Sequence, residues 1–253
     1  VIDNSSAFRM DPEVPLVVPE VNPQAILKHK GIIANPNCST IIMVMALKPI
    51  YDLAKIKRVI VSTYQAVSGA GKEGIDELDA QVREHSEGRE MTANILPSAS
   101  AEKHYPIAFN LIPQIDVFCD NLYTKEEMKM VNETKKIMED YEMRITATTI
   151  RVPVYRSHSE SVNIELEKEV DLGAMREALA KFPGVTVQDD PSKQEYPMPL
   201  YTSEKDDVYV GRLRRDESWE KSYNMWVVGD QIRKGAALNT LQIAETMIKN
   251  GWI

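Results

Sequence analysis

Cys38 is the strongest candidate for a nucleophile in this sequence. It follows Asn35-Pro36-Asn37, at a point where a loop enters a helix. Free backbone amides and the positive end of the helix dipole stabilise a thiolate there, so we predict a lowered thiol pKa. A buried structural thiol is the alternative reading of any single cysteine. The second cysteine, Cys119, is not at a helix start, and we interpret it as structural.

His158 is a candidate for proton transfer. It lies in a polar insert, Val154–Glu160, between two predicted strands. A histidine in such a loop can exchange protons near neutral pH, although a solvated bystander is the alternative. No two histidines have the spacing of metal ligands, so the sequence predicts no metal site.

A glycine-containing turn, Ser68-Gly69-Ala70-Gly71, follows a predicted strand and precedes a predicted helix. Glycines at such a place allow the backbone to approach a phosphate or a cofactor closely. The six-residue glycine spacing of the dinucleotide fingerprint is absent, as is its acidic partner. A plain turn is the alternative.

Four charged residues could together bind a small zwitterion. Glu126 and Lys129 are three residues apart and share a helix face, while Arg9 belongs to a loop and Arg151 to a strand. Each alone could be a solvated charge or a surface ion pair. As a set they could hold a ligand that carries a carboxylate, an amine and a phosphate.

The elements that must position these residues follow from periodicity and capping. An apolar run predicts a buried helix at Ser39–Leu53, and β-branched residues predict a strand at Val59–Tyr64. Thr124 and Glu127 form a capping box that opens a helix to about Glu139. Further strands are predicted at Ile145–Val154, Ser161–Leu166, Val208–Leu213 and Met225–Val228, and further helices at Ile75–Ser86, Leu172–Lys181 and Ala236–Lys249. Because strands and helices do not alternate strictly, an α+β arrangement is favoured.

Composition bounds the classes of function. The 253 residues carry a net charge of −8, which argues against nucleic acid as the main partner. No apolar run reaches the length of a membrane span, and the first residues lack the features of a signal peptide. Two cysteines suit a reducing, cytoplasmic setting. The opening residues, Val1–Ser6, read as the end of a strand, so we expect the sequence to be a fragment.

Seven stretches in family order resemble the bacterial aspartate-semialdehyde dehydrogenase family over almost the whole chain. They are Asp3–Arg9, Asn35–Thr40, Ser62–Gly71, Phe109–Ile115, Glu126–Lys129, Arg151–Val154 with His158, and Gly229–Ala237. Seven matches in register are not expected by chance.

The resemblance implies thioester chemistry. The cysteine that matches Cys38 attacks β-aspartyl phosphate and expels phosphate, and the acyl-thioester is then reduced by NADPH to the semialdehyde. Sulfur suits this chemistry because it is nucleophilic at neutral pH and leaves easily. His158 matches the family's acid/base histidine, and Gln65 matches the glutamine that orients the substrate. The implied pathway products are lysine, threonine and methionine.

The same resemblance implies the residues that bind the substrate. Arg151 would bind its carboxylate and Glu126 its ammonium group. Arg9, Asn37 and Lys129 would hold the phosphate. These fixed cations would perform the electrostatic work without a metal.

On the cofactor side, Ser68, Gly69 and Gln231 match positions near the nicotinamide of NADP. The family implies a homodimer or homotetramer, and the only other expected partner is the small-molecule substrate, with no nucleic acid and no membrane.

The implied fold class is α/β, with an α+β catalytic and dimerisation domain at 38–235. Residues 1–37 would be a remnant of a Rossmann-type dinucleotide-binding domain, and the helix in 236–253 would return to that domain. In the family a glycine-rich phosphate loop precedes the segment that Val1 begins, so an isolated polypeptide like this is expected to bind NADPH poorly.

Three alternatives remain at this point. A related acyl-phosphate reductase, such as N-acetyl-glutamyl-phosphate reductase or glyceraldehyde-3-phosphate dehydrogenase, uses the same thiol chemistry, but Glu126 would have no amine to bind there. A thiol hydrolase using Cys38 and His158 would need no nucleotide. A non-catalytic interaction module is the third alternative.

Overall fold

The computed structural model describes residues 1–253. Its strands are β1 Ile2–Asp3, β2 Ile33–Ala34, β3 Ile56–Gln65, β4 Arg144–Arg151, β5 His158–Leu166, β6 Val185–Val187, β7 Val208–Arg215 and β8 Ser222–Gly229. Its α-helices are α1 Cys38–Leu53, α2 Lys72–Ser86, α3 Lys125–Met138, α4 Leu172–Lys181, α5 Pro199–Thr202 and α6 Leu238–Lys249. Short 3₁₀ turns occur at Pro23–Lys28, Val67–Ala70 and Pro191–Lys193, and a π-helical turn at Arg233–Ala237.

A mixed six-stranded sheet organises the chain, in the order β4-β3-β5-β8-β7-β6. β3 pairs in parallel with β4 and antiparallel with β5, β5 pairs antiparallel with β8, and β8 pairs antiparallel with β7. β1 and β2 form a separate parallel pair. Mixed pairing is typical of the α+β arrangement that the sequence predicts.

Helix α1 fills the space between one face of the sheet and the other helices. Nearly every side chain from Ser39 to Ile50 is buried, which explains why its sequence is apolar on all sides. It packs against α3 and α4, and residues of all three helices share one core with the inward residues of the sheet. Burial on all sides fixes the place of its N-terminus, where Cys38 lies.

The two ends of the chain pack against each other apart from this main core. A smaller cluster contains Val17, Ala25, Ile26 and Ile33 from the first part of the chain and Ile243 and Met247 from α6. The side-chain amide of Asn239 joins the two parts, because it donates to the carbonyl of Val17 at 3.0 Å and to Oδ1 of Asn35 at 2.7 Å. Helix α6 is therefore held by the first 37 residues.

The predicted helices and strands are confirmed, although most of their ends differ from the prediction by one to three residues. Helix α4 has the predicted bounds, and the capping box at Thr124 is present. The prediction of a loop at His158 is wrong, because β8 continues to Gly229 and its backbone pairs with His158 as the first residue of β5. The closing helix was expected to begin at Ala236, but the π-helical turn precedes it and α6 begins at Leu238.

Candidate active site

A cleft of about 480 Å³ opens at one edge of the sheet. β3 and β4 end there with Gln65 opposite Arg151, and β5 begins there with His158 opposite Gly229. The N-terminus of α1 adds Cys38. All eleven site residues predicted from the sequence line this one cleft: Arg9, Asn37, Cys38, Gln65, Ser68, Gly69, Glu126, Lys129, Arg151, His158 and Gln231.

The side-chain Oδ1 of Asn37 caps helix α1, and its Nδ2 faces the cleft. Its Oδ1 accepts from the backbone amides of Ser39 at 3.0 Å and Thr40 at 3.3 Å, which satisfies two free donors of the first turn. Its Nδ2 donates to both carboxylate oxygens of Glu126, at 3.0 Å each. One side chain therefore positions Cys38 at the helix start and ties it to Glu126.

The Cys38 thiol differs from the sequence prediction. Burial raises its pKa to about 12, and the negative charge of Glu126 adds to the rise. Arg151 and hydrogen bonds from Ser39 lower the pKa, but by less than burial raises it. The predicted lowering fails because desolvation by the tertiary structure outweighs the helix end. The side chain remains partly exposed and reaches the cleft.

His158 is held in one tautomer by the backbone. The amide N–H of Ala66 donates to its Nδ1 at 3.0 Å, so a neutral ring must carry its proton on Nε2. Nε2 is buried and has no protein partner. Burial lowers the pKa of His158 well below its usual value, and the charge of Arg151 adds to this effect. His158 is therefore a neutral N–H donor in the wall of the cleft.

Arg151 depends on the same peptide and on a glycine. Its Nη1 donates to the carbonyl of Ala66 at 2.7 Å, while its Nε is buried without a partner. A Cβ on Gly69 would lie 2.6 Å from Nη1 of Arg151 and 3.2 Å from Cε1 of His158. Glycine at this position lets the turn lie directly against both side chains.

Glu126 is the centre of the polar network. Besides Asn37, it accepts from Nε2 of Gln65 and from Nζ of Lys129, both at 3.2 Å. Lys129 is shared with Asp116, whose Oδ2 lies 3.1 Å away. The carboxylate is 5 % exposed and lines the cleft, so a ligand cation can reach it only from the cleft side.

Glu133 is a residue of the site that the sequence reasoning missed. Its Oε1 lies 3.2 Å from Nη1 of Arg9, and its Oε2 accepts from the backbone amide of Asn37 at 2.7 Å. It therefore ties Arg9 to the cap of α1. The heptad spacing from Glu126 to Glu133 places both on one face of α3 and could have indicated it.

Two more residues near the cleft were missed. Glu160, two residues after His158 on the same face of β5, is fully buried, and both its carboxyl oxygens lack partners. Burial raises the pKa of Glu160 well above its usual value, and the charge of Glu126 adds to the rise. Gly235 lies against Cys38. No spacing rule connects either residue to Cys38.

The far end of the cleft has neutral polar walls. Gln231 accepts from the backbone amide of Ser157 at 2.9 Å and donates to the hydroxyl of Ser68. Gly69 and Gly235 present backbone without a Cβ beside it. A fixed amide beside two bare backbone segments fits a flat ring that carries a carboxamide, such as a nicotinamide.

No group of three or more His, Cys, Asp or Glu side chains is arranged to hold a metal ion. None of the helices has the length and apolar character needed to cross a bilayer.

Two family models match the chain. The model of the semialdehyde dehydrogenase dimerisation domain matches residues 47–234, and the model of the semialdehyde dehydrogenase NAD binding domain matches residues 1–29. These matches define a semialdehyde dehydrogenase that uses a nicotinamide cofactor.

Individual relatives show which family of semialdehyde dehydrogenases the chain resembles. The aspartate-semialdehyde dehydrogenase of Aquifex aeolicus is 57% identical over 255 residues, which cover 100% of this chain and 73% of that protein. The structure of aspartate semialdehyde dehydrogenase II from Vibrio cholerae complexed with ASA has a TM-score of 0.92 at 47% identity, covering 99% of this chain and 72% of that one. The Candida albicans enzyme with NADP, at 24% identity and a TM-score of 0.75 over 100% of this chain and 72% of that one, shares the fold. The chain belongs to the aspartate-semialdehyde dehydrogenase family.

Proposed function

We propose that this protein catalyses the reductive dephosphorylation of L-4-aspartyl phosphate to L-aspartate 4-semialdehyde, with NADPH, through an acyl-thioester on Cys38. The reaction serves the synthesis of lysine, threonine and methionine. The observation that carries the proposal is the meeting of Cys38, Arg151, Glu126 and the free Nε2 of His158 in one cleft. An acylated amino group carries no positive charge for the Glu126 carboxylate to bind, which disfavours an N-acetylated substrate.

Two ends of the cleft suit the two ends of the substrate. Arg151, with a buried Nε that has no protein partner, is assigned the α-carboxylate, and Glu126 the ammonium group. Arg9, Lys129 and the amide of Asn37 are assigned the phosphate. Arg9 also has an unpartnered buried Nε, so it can bind an anion without giving up its contact with Glu133.

Substrate binding prepares the thiol. The substrate ammonium neutralises Glu126 and so removes one cause of the raised pKa of Cys38. The sulfur then attacks the acyl carbon, the bond from that carbon to the phosphate oxygen breaks, and the thiol proton leaves with the phosphate. The N–H at Nε2 of His158 stabilises the oxyanion that forms at the carbonyl. Gln65 holds Glu126 in place throughout.

The cofactor is assigned to the neutral end of the cleft, near Ser68, Gly69 and Gln231. Bound NADPH supplies the hydride that reduces the thioester carbonyl. Residues 1–37 and 236–253 form the side of the molecule toward the nucleotide, and residues 38–235 form the catalytic and dimerisation domain. The apolar cluster that joins the two chain ends supports grouping them together, while Val14, Leu16, Val18, Val21 and Ala34 connect the first segment to the main core.

We also propose that the protein is a homodimer or a pair of such dimers in the cytoplasm. Helices cover one face of the sheet, while the other face keeps Tyr64, Ser161 and Trp226 at least partly exposed. The family description of residues 47–234 as a dimerisation domain supports pairing through this face. Both cysteines are free, which suits a reducing compartment.

The first half-reaction, in which Cys38 is acylated and phosphate is released, tests the proposed function without the cofactor. Mixing the purified protein with L-4-aspartyl phosphate in a quench apparatus should release one phosphate per active site, and intact-mass measurement should find the aspartyl adduct on Cys38. Cys38→Ser should abolish the burst, whereas Cys119→Ser should keep it. Continued phosphate release without NADPH would indicate a hydrolase instead, and the absence of any burst would refute the proposal.

A further inference from the structure

Gly235 lies against the base of the Cys38 side chain, although 197 positions separate the two residues in sequence. A Cβ built on Gly235 would be 2.9 Å from Cβ of Cys38, 3.3 Å from its Cα and 3.4 Å from its carbonyl oxygen. Real Cβ atoms do not approach another carbon to 2.9 Å. The two backbones are therefore in direct contact, with no space for a methyl group.

The contact is with the base of the cysteine. The three atoms nearest to a Cβ built on Gly235 are Cβ, Cα and the carbonyl oxygen of Cys38. On the other side, Asn37 holds the start of α1 through the amides of Ser39 and Thr40. Cys38 is thus held between the helix cap and the segment that carries Gly235.

This segment is the π-helical turn Arg233–Ala237, and it is anchored through the residues just before Gly235. Before it, the fully buried Asp230 accepts from the backbone amides of Ile232 at 2.9 Å and Arg233 at 3.1 Å. Next to it, Lys234 is 1 % exposed. Single π-turns inside helices are rare and occur often at functional sites.

Lys234 has a partner for each of its three donors. Its Nζ lies 2.6 Å from Oε2 of Glu20, 2.7 Å from Oε1 of Gln242 and 3.1 Å from Oδ1 of Asn239. A buried ammonium with all its donors satisfied has one favourable position. Because Gly235 is the next residue, this anchor fixes the place where the turn meets Cys38.

We propose that the turn Arg233–Ala237 is a positioning element for Cys38, in which Gly235 abuts the thiol-bearing residue and Lys234 with Glu20 anchors the turn. The inference rests on Cys38 being the nucleophile. A displacement of about 1 Å at a reacting atom can cost about 100-fold in rate. A methyl group at Gly235 must displace Cys38, the turn or both by a comparable distance. The substrate-binding groups Arg9 and Lys129 lie on other segments and keep their places.

The test compares two glycines that both pack on α1. In Gly229→Ala, the new Cβ would lie 3.0 Å from Cγ1 of Ile42, so it crowds the same helix four residues beyond Cys38. Thermal unfolding should show both variants folded and both somewhat less stable. Gly235→Ala should lower kcat and the single-turnover rate of phosphate release at least tenfold, with KM for phosphate within about twofold. Gly229→Ala should keep both rates within about threefold.

Equal rates for the two alanine variants would overturn the proposal, as would a defect of Gly235→Ala confined to KM for the nicotinamide cofactor. Glu20→Gln is the second variant, since it keeps the shape of the anchor and removes its charge. Glu20→Gln should reduce the phosphate-release rate by a smaller factor than Gly235→Ala does, and it should leave KM for phosphate unchanged. If wild-type protein itself releases no phosphate, the assigned function fails. The proposal can then still be tested by the alkylation rate of Cys38, which Gly235→Ala should change and Gly229→Ala should not.

Discussion

At the scale of single residues, the surroundings of Cys38 shift the pKa of its thiol in opposite directions. Burial and Glu126 raise its pKa, while Arg151 and Ser39 lower it. Asn37 connects Glu126 to the first residue of α1, so the carboxylate that is assigned to the substrate ammonium is also a neighbour of the nucleophile. We therefore expect a change in the charge of Glu126 to change the reactivity of the Cys38 thiol.

Glu126→Gln should make Cys38 more reactive toward a small alkylating agent while it abolishes turnover. The substitution removes the second cause of the raised thiol pKa, and a fall of about one pKa unit would raise the thiolate fraction about tenfold. Iodoacetamide labelling followed by mass spectrometry between pH 7 and pH 9, a working range chosen about the ordinary thiol pKa, measures the effect. Cys119 in the same samples is the control and should label at its wild-type rate. Slower labelling of Cys38 in the variant would contradict the assigned effect of Glu126.

At the scale of elements, two helix N-termini build the site. α1 presents Cys38 in its first turn, and α3 presents Glu126 and Lys129 in its first two turns. The cap of α3 is complete, since Oγ1 of Thr124 accepts from the amide of Glu127 at 3.3 Å and the Glu127 carboxylate accepts from the amide of Thr124 at 2.7 Å. The positions of Glu126 and Lys129 in the cleft thus depend on how firmly the cap holds the first turn of α3.

Thr124→Ala should lower the free energy of unfolding by about 1 kcal/mol, because a helix cap is lost. For a chain of this size the fall in Tm is about 2–4 °C. Fraying of the first turn should also raise KM for phosphate, since Lys129 loses its fixed position. Thr124→Ser keeps the hydroxyl and is the matched control. Steady-state kinetics with an unchanged KM for phosphate in Thr124→Ala would show that Lys129 is held without the cap.

At the scale of the whole molecule, the sheet has two unlike faces. One faces α1, α3 and α4 in the main core. On the other, the rings of Tyr64 and Trp226 are in contact at a tilt of 48°, with centroids 5.5 Å apart. Ser161 of β5 lies exposed between Ser62 and Trp226 on the neighbouring strands. Ser161 is thus near the middle of the face to which we assign subunit pairing.

Ser161→Arg should shift the assembly toward monomers, because a charged side chain would be buried in the middle of an interface. Sedimentation equilibrium should show a dissociation constant at least tenfold higher than that of the wild type. Ala174→Arg adds the same side chain at an exposed position of α4, on the helical side, and should leave the assembly unchanged. Intact dimers of Ser161→Arg at low concentration would rule out this face.

Local features were predictable from the sequence because their causes are local. The cap and first turn of α1, the capping box of α3 and the bounds of α4 depend on residues within a few positions of one another. Residue type and placement singled out Cys38, His158, the turn at Ser68-Gly69 and the charged residues Arg9, Glu126, Lys129 and Arg151, whereas Asn37, Gln65 and Gln231 were named only by family resemblance. Spacing along the chain does not tell which strands are neighbours, so it could not bring Gln65 opposite Arg151.

Only the tertiary structure decided the properties that depend on distant neighbours. The thiol pKa is raised rather than lowered because burial by the whole fold outweighs Arg151 and the hydrogen bonds from Ser39. His158 is a buried strand residue with its proton directed to Nε2, because the amide of Ala66 lies 3.0 Å from Nδ1. The contact of Gly235 with Cys38 arises only where the turn before α6 meets the start of α1. The sequence by itself determined which groups are available, and packing determined their charge, their tautomer and their distance from the sulfur.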